Sequence, residues 1–563
     1  MNGGVQILKR RFSSMIAAMA AIAMVGTGTV TAYGENEVKY PVMPEIKEEV
    51  QIDRVGNDET PLQGTASLTK YDPRGSKVSG IRNQGSYGTC WVFSSVAAME
   101  SNLIKKKLAP KSVDLSENQL LYYFYHAGTD KLSYTKGDKN VCLDNYLMVG
   151  GIPISLGLST MTGMGVTTEK VSPYLSTPKK NICYSGAYDV NEVHYYDYSI
   201  ATTKKAISKY GAVVCAMYMD TGYFDDTTNA YYCYNNMNTT NHGVTIVGWD
   251  DNYSRYNFGT SYALPSSNGA WIVKNSYGTS FGDNGYMYMS YEDKNITSLC
   301  TFDMIKASQN YDNYYQHDGS SGMWYFNISA GDSAANVYTA KGSKSGCCEV
   351  LKAVSLCSYT ENVRYSLQVY TGITNSSDPT SGTPMFSKPQ TGKLSEAGYS
   401  KVKLKKAVTL ANGEKFAVVV KFLDQCKLAV ETGYTNVYVK YVANIGKKKS
   451  FWKSNYFNIW TDIGYEDAIA RIKAYTDESS KKVSYKINKT SVRLKAGKKY
   501  KLSISANPSG AKRNVVWTST NKSVAVVSKN GYITGKNKGR TTISAKFSAG
   551  NKIKTLKCNV KVN

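Results

Sequence analysis

The segment Asn83-Gln84-Gly85-Ser86-Tyr87-Gly88-Thr89-Cys90-Trp91 offers a thiol together with the surroundings a thiol needs to become a nucleophile. Val92, Phe93, Val96, Ala97 and Met99 recur at helical spacing and are followed by Glu100, so Cys90 falls in the first turn of a helix predicted near 90–106. Unpaired N–H groups and the positive end of the helix dipole favour thiolate there, which predicts a lowered pKa. Gly85 and Gly88 allow a tight backbone path that swings the Gln84 amide back beside the sulfur, where it would serve as an oxyanion donor.

A thiol also needs a base, and imidazole is the side chain whose pKa suits the task near neutrality. Of the four histidines, His126, His194 and His317 lie in polar or tyrosine-rich contexts. His242 precedes Gly243 and the apolar run Val244-Thr245-Ile246-Val247, which puts it at a strand start rather than inside a core, 152 residues after Cys90. An imidazole must be held in one tautomer by a third polar group. Asn275, at the end of the apolar strand Ala270–Lys274, is the candidate. The chemistry of such a set is attack of a thiolate on a carbonyl, with the imidazole passing the proton.

The elements that would hold these residues are helices near 90–106, 116–126 and 202–210, followed by strands at Val244 to Trp249, Ala270 to Lys274 and Tyr286 to Tyr291. Helices first and strands after them predict an α+β domain with two lobes over 66–305, not a parallel βαβ sheet. Over 310–475 short strands with turn signals take over and predict an all-β sandwich. A polar break at Asp477–Lys482 precedes a small all-β unit, 484–563, with Trp517 as its expected core anchor. Upstream, Lys9, Arg10 and Arg11 lead into an apolar run from Met15 to Val25 and a small-residue exit at Val30-Thr31-Ala32, so 1–32 reads as a signal peptide. Residues 33–65, acidic and interrupted by prolines, read as a pro-segment without a helical pattern or as a linker.

With Cys90 set aside, the other ten of the eleven cysteines are even in number but scattered, and they fix neither a pairing nor a metal site; no metal and no cofactor is expected. The formal charge is +25, and 484–563 carries sixteen lysines, three arginines and no acidic residue. So one-sided a field implies an anionic partner or a polyanionic surface. Nucleic acid is not expected, because no binding motif is present and the leader sends the chain outward. No later stretch reaches transmembrane length, which predicts a mature protein outside the membrane, soluble or held to a surface by noncovalent contacts.

The residues resemble the papain family of cysteine peptidases. Segment 83–91 matches its Asn-Gln-Gly-x-x-Gly-x-Cys-Trp, Leu115-Ser116-Glu117-Asn118-Gln119-Leu120 its Leu-Ser-Glu helix start, and Asn275-Ser276-Tyr277-Gly278 with Gly282-Asp283-Asn284-Gly285-Tyr286 its Asn-Ser-Trp-Gly block. The resemblance implies Cys90 as nucleophile, His242 as acid–base, Asn275 as its orienter and Gln84 as oxyanion-hole residue. It further implies that Gly150-Gly151 binds extended peptide through the backbone. Three departures stand out. Tyr87 and Met148 occupy places where many relatives have a disulfide; Tyr277 replaces a Trp that shields the Asn–His bond; and Asp251–Asn268 resembles an insertion that would alter one rim of the cleft. Residues 484–563 resemble the bacterial group 2 Ig-like domain, through Ser491-Val492, Val516-Trp517 and Gly531 to Gly539, and 310–475 resembles a lectin-like domain of clostridial cell-wall proteins. The implied function is a secreted cysteine endopeptidase acting on proteins or peptides at a bacterial cell wall or surface, with an anionic cell-wall polymer or surface carbohydrate as a further partner. The alternatives are a peptidoglycan amidase and a catalytically silent adhesin.

Overall fold

The computed structural model describes residues 46–48 and 63–563, except 127, 129, 179–181, 260–262, 343, 345–346, 437, 508–514 and 550–551. The expected signal peptide lies outside the described residues, as does the pro-segment apart from strand β1 (Ile46–Glu48) and residues 63–65.

Helix α1 (Cys90–Lys105) is buried continuously from Cys90 to Leu103. So complete a burial leaves no face for its serines to reach water, and they turn back on the helix: Ser95 donates to the Trp91 carbonyl at 2.7 Å and Ser101 to that of Ala97 at 2.8 Å. Around α1 pack α2 (Glu117–His126) and α3 (Pro153–Thr160), which opens on a proline, where the missing N–H costs nothing. Trp91, Val96, Met99, Leu120, Phe124 and Leu156 share this first core.

The strands are β2 (Tyr188–Tyr196), β3 (Val213–Met217), β4 (His242–Asp250), β5 (Ala270–Lys274), β6 (Tyr286–Ser290) and β7 (Thr297–Lys306); β4, β5 and β6 fall where the sequence places them, while β2, β3 and β7 are additional. Between β2 and β3, α4 (Ile200–Tyr210) starts at Ser199, whose hydroxyl accepts from Thr202 N, and stops at Gly211, where φ is +104°. Antiparallel register sets Met217 opposite His242 and Lys274 opposite Thr245. Val213, Ile246, Trp249, Trp271, Val273 and Met287 form a second core. The two cores are the two lobes.

The sandwich is built from β8 (Trp324–Ile328), β9 (Ser333–Thr339), β10 (Cys347–Ser358), β11 (Val363–Thr371), β12 (Ala397–Ala411), β13 (Lys415–Phe422), β14 (Cys426–Glu431) and β15 (Ile472–Lys482). Strands β9, β11 and β13 belong to one sheet and the others to its partner. Period-2 residues Phe416, Val418 and Val420 on β13 meet Leu351, Leu356 and Phe326 of the facing sheet in a common core. Strand β1 lies against β8 with Ile46 opposite Phe326.

Unforeseen from sequence, the sandwich and the first part of the chain share a sheet. Strand β12 pairs with β10 along one side and with β2 along the other, Gly398 standing opposite His194. Glycine is required here: φ is +109°, and a Cβ would come within 2.2 Å of the Val193 carbonyl oxygen. Beside this seam lies a buried ionic cluster. Asp318, Arg471 and Lys473 are all at 0% exposure, with Lys473 Nζ 2.7 Å and Arg471 Nη1 3.4 Å from Asp318 Oδ2. Tyr399 donates to the same carboxylate, and Arg471 donates to the carbonyls of Ser320 and Gly322.

In the C-terminal unit, Val492, Leu494, Leu502, Ile533, Ile543 and Val560 make the core. Trp517 is not its anchor. The strand Val516–Ser519 lies with Trp517 only half-buried, and the indole covers Gly531, where a Cβ would sit 3.2 Å from the ring. Among the described residues no helix is long and apolar enough to cross a membrane.

Candidate active site

Cys90 is the first residue of α1, as its spacing predicts. The loop before it is stitched to the loop after β5: Gln84 N donates to Ser276 O at 2.9 Å, Gly278 N to Arg82 O at 3.1 Å, and Asn83 bridges to Tyr277. The Gln84 amide is then fixed at both ends, its Oε1 accepting from Ser276 Oγ at 2.6 Å and its Nε2 donating to Tyr87 O at 2.7 Å. One Nε2 hydrogen is left over, since an amide nitrogen carries two. Gly88 approaches the opposite wall so closely that a Cβ would lie 2.6 Å from Met148 O, and its N–H donates to Leu147 O at 2.8 Å. Where many relatives have a disulfide, this backbone bond joins the two segments. Gly150 and Gly151 follow on that wall; the Gly150 carbonyl accepts from Tyr125, and a Cβ on Gly151 would lie 2.5 Å from the Trp91 indole.

His242 opens β4 and Asn275 follows β5, so the pairing of those strands sets them side by side. His242 Nε2 lies 2.8 Å from Asn275 Oδ1. That oxygen only accepts, so Nε2 carries the hydrogen and Nδ1 presents its lone pair. Gly243 brings the imidazole to the thiol: a Cβ there would be 3.1 Å from Trp91 Cα, so β4 lies directly on the first turn of α1. Exposure is 9% for Cys90, 5% for Gln84 and His242 and 3% for Asn275, so His242, although at a strand start, is buried. Tyr277 stacks on it with ring centroids 4.8 Å apart, and its hydroxyl is 3.4 Å from Nδ1.

Burial reverses one expectation. It pushes the Cys90 thiol up, outweighing the N–H groups of Gly243, Trp91 and Cys90 that favour thiolate. It pushes His242 down to about 4, against the Asn275 bond. Taken singly, each group is uncharged.

Beneath Asn275 lies a charged support. Burial pushes Lys274 down to about 8 and raises Glu100, and both bond Ser79, which donates to Glu100 and accepts from Lys274 Nζ at 2.8 Å. Glu100 also accepts from Leu115 N at 2.8 Å. The spacing around Glu100 carries no mark of this role; the signal in the sequence is Lys274, which closes the otherwise apolar strand Ala270–Lys274.

The loop 251–268 packs, through its described residues, at the end of β4 away from His242. It leaves β4 after Asp250, eight residues and roughly 26 Å from His242. There Arg255 binds Ser266 O, Glu292 accepts from Ser266 and Ser267, and Phe258 packs on Tyr232. The other histidines are elsewhere: His126 stacks on Tyr122, His317 on Tyr338, and His194 lies between Glu192 and Glu396 at 3.4 and 3.7 Å. All eleven cysteines are free thiols.

Residues 68–307 match the papain family cysteine protease profile, 314–476 that of a lectin-like domain and 479–558 that of the group 2 bacterial Ig-like domain. The solved structure of the cysteine protease and lectin-like domains of Cwp84, a surface layer associated protein of Clostridium difficile, is 26% identical with a TM-score of 0.62, covering 77% of this chain and 91% of that one. Cathepsin L of Sarcophaga peregrina is 29% identical over 229 residues, 40% of this chain and 59% of that protein. A senescence-specific cysteine protease of Oryza sativa is 28% identical over 229 residues, 40% of this chain and 57% of that protein. Pro-cathepsin H of Mus musculus is 27% identical over 247 residues, 42% and 65% respectively. The chain thus spans 57–65% of the length of these three relatives. With the profile matches, the α+β fold and the clostridial structure in agreement, residues 68–307 are a papain-family cysteine peptidase domain, followed in the same chain by a lectin-like and a bacterial Ig-like domain.

Proposed function

We propose that this chain is an endopeptidase that works outside the cell, with Cys90 as nucleophile, His242 as acid–base, Asn275 as orienter and Gln84 in the oxyanion hole. The observation that carries this reading is the 2.8 Å His242–Asn275 bond beside a thiol at a helix start. The proton of Sγ passes to Nδ1, and the thiolate attacks a peptide carbonyl. The spare Gln84 Nε2 hydrogen and the Cys90 N–H receive the oxyanion. His242 returns the proton to the leaving amine, and water then releases the acyl group, with His242 again taking and giving the proton. The Gly150-Gly151 backbone, bare of side chains, takes the extended substrate.

The test is exposure of the full chain to an epoxysuccinyl thiol-peptidase inhibitor, with digestion of unfolded casein and of purified peptidoglycan alongside. Labelling of Cys90 with casein hydrolysis is expected. Hydrolysis of peptidoglycan alone would make the chain an amidase, and no labelling in reducing buffer would make it a silent adhesin.

A surface location is supported by the leader-like N-terminus and by likeness to a surface layer associated protein. The basic C-terminal unit then serves as the wall contact. Binding to isolated bacterial walls should weaken steeply as salt rises from 0.05 to 0.5 M, over which the screening length falls from roughly 14 to 4 Å. Salt-indifferent binding would remove electrostatics from the account.

A further inference from the structure

The place where this site departs from its relatives lies next to the catalytic ring. Nε2 of His242 gives its hydrogen to Asn275, so in the uncharged imidazole Nδ1 has one lone pair to offer. Two donors compete for it: the Cys90 thiol, a weak donor, and the Tyr277 hydroxyl, a strong one. The hydroxyl stands 3.4 Å from Nδ1, with its ring stacked on the imidazole and braced edge-on by Phe281 at 5.3 Å. The distance is long for such a bond, as catalytic hydrogen bonds often are before substrate tightens the site. A Trp at this position can stack, but its indole N–H lies elsewhere on the ring and has no acceptor counterpart.

We infer that Tyr277 is a positioning residue whose hydroxyl donates to His242 Nδ1 and so holds the Cys90–His242 pair in its uncharged form in the resting enzyme. The inference rests on the roles proposed above for Cys90 and His242. When the thiol proton moves to Nδ1, that nitrogen has no lone pair left, and the Tyr277 bond is lost. It therefore opposes the thiolate–imidazolium pair and is released as the pair forms. Tyr277 remains a donor throughout the working range, since burial, with the nearby Cys90, pushes its own ionisation up to about 12. The titratable and charged groups packed about the ring are Cys90 from α1 and Tyr277 from the loop after β5. Beneath Asn275 lie Lys274, Glu100, Glu117 and Arg82.

The experiment measures the rate of Cys90 alkylation by iodoacetamide between pH 4 and 10 in the full chain, in Tyr277→Phe and in Tyr277→Trp, with Cys90→Ala as background. Both variants lose the donor to Nδ1, which stabilises only the uncharged pair, so the acid limb, where the doubly protonated pair loses its first proton, should move to higher pH by roughly half a unit to one unit, the weight of one hydrogen bond, and the plateau rate should rise as the thiolate–imidazolium pair gains population. An acid limb that stays in place or moves down overturns the inference. A role in packing alone would alter the unfolding temperature without moving the limb. Should Tyr277→Phe fail to fold, Tyr277→Trp, which restores the side chain common among relatives, carries the same test. Alkylation is read without peptide hydrolysis, so a chain that cleaves nothing would defeat the peptidase reading while leaving the limb measurable.

Discussion

Cys90→Ala is expected to slow hydrolysis of unfolded casein by on the order of 10⁴-fold or more while leaving the fold intact. The loss is large because the site acts as a unit. His242 and Asn275 can move a proton, but without Sγ they have no atom to bond to the carbonyl. The fold survives because the sulfur occupies the first turn of a helix, where alanine is the better helix former, and because its removal costs about 1 kcal/mol of burial. Thermal unfolding should shift by no more than about 4 °C. Casein hydrolysis retained within tenfold of the native chain would remove Cys90 from the mechanism.

Asp318→Ala carries the largest expected cost in stability. It leaves Arg471 and Lys473, both at 0% exposure, facing each other without their shared carboxylate. Removing one partner of a buried pair costs about 3–5 kcal/mol, because the charge that stays behind is neither paired nor hydrated. Burial already pulls Lys473 down against the attraction of Asp318, so in the variant it should shed its proton at still lower pH. Urea unfolding followed by tryptophan fluorescence measures the cost. The triple change Asp318→Ala, Arg471→Met and Lys473→Met should recover part of it, since both stranded cations go, while Glu431, also at 0% exposure, is left without the attraction of Arg471. A single-variant loss below 1 kcal/mol would mean that water reaches the cluster.

Much of the site could be read from the sequence because its parts are local. The helix at Cys90, the glycines before it and the strand ahead of Asn275 are set by spacing over five to ten residues, and the structure brings these segments together. The errors lie where a distant segment decides. Helix position alone predicts a lowered thiol pKa; the sign reverses because burial of the sulfur in the assembled fold outweighs the N–H groups of Gly243, Trp91 and Cys90 that favour thiolate. Trp517 was expected at the centre of a small core, yet a β-unit with ten buried aliphatic and small residues fills that centre without it. Asp251–Asn268 reads as an insertion that would alter one rim of the cleft, yet the nine residues of β4 separate it from His242, and its described residues pack at the strand's far end. The seam between β2 and β12 joins residues some 200 apart, and neither strand bears a local mark of its partner.

That seam makes the relation between catalytic cleft and sandwich one of measurement. Two folds joined only by a flexible tether sample many separations, and whatever one of them grips drifts past the other. Here the backbone hydrogen bonds around Gly398 act as a ruler. A polymer seated on the sandwich would be offered to Cys90 at one fixed spacing, so cleavage would be selected by how far a bond lies from the point of grip as well as by the residues that flank it.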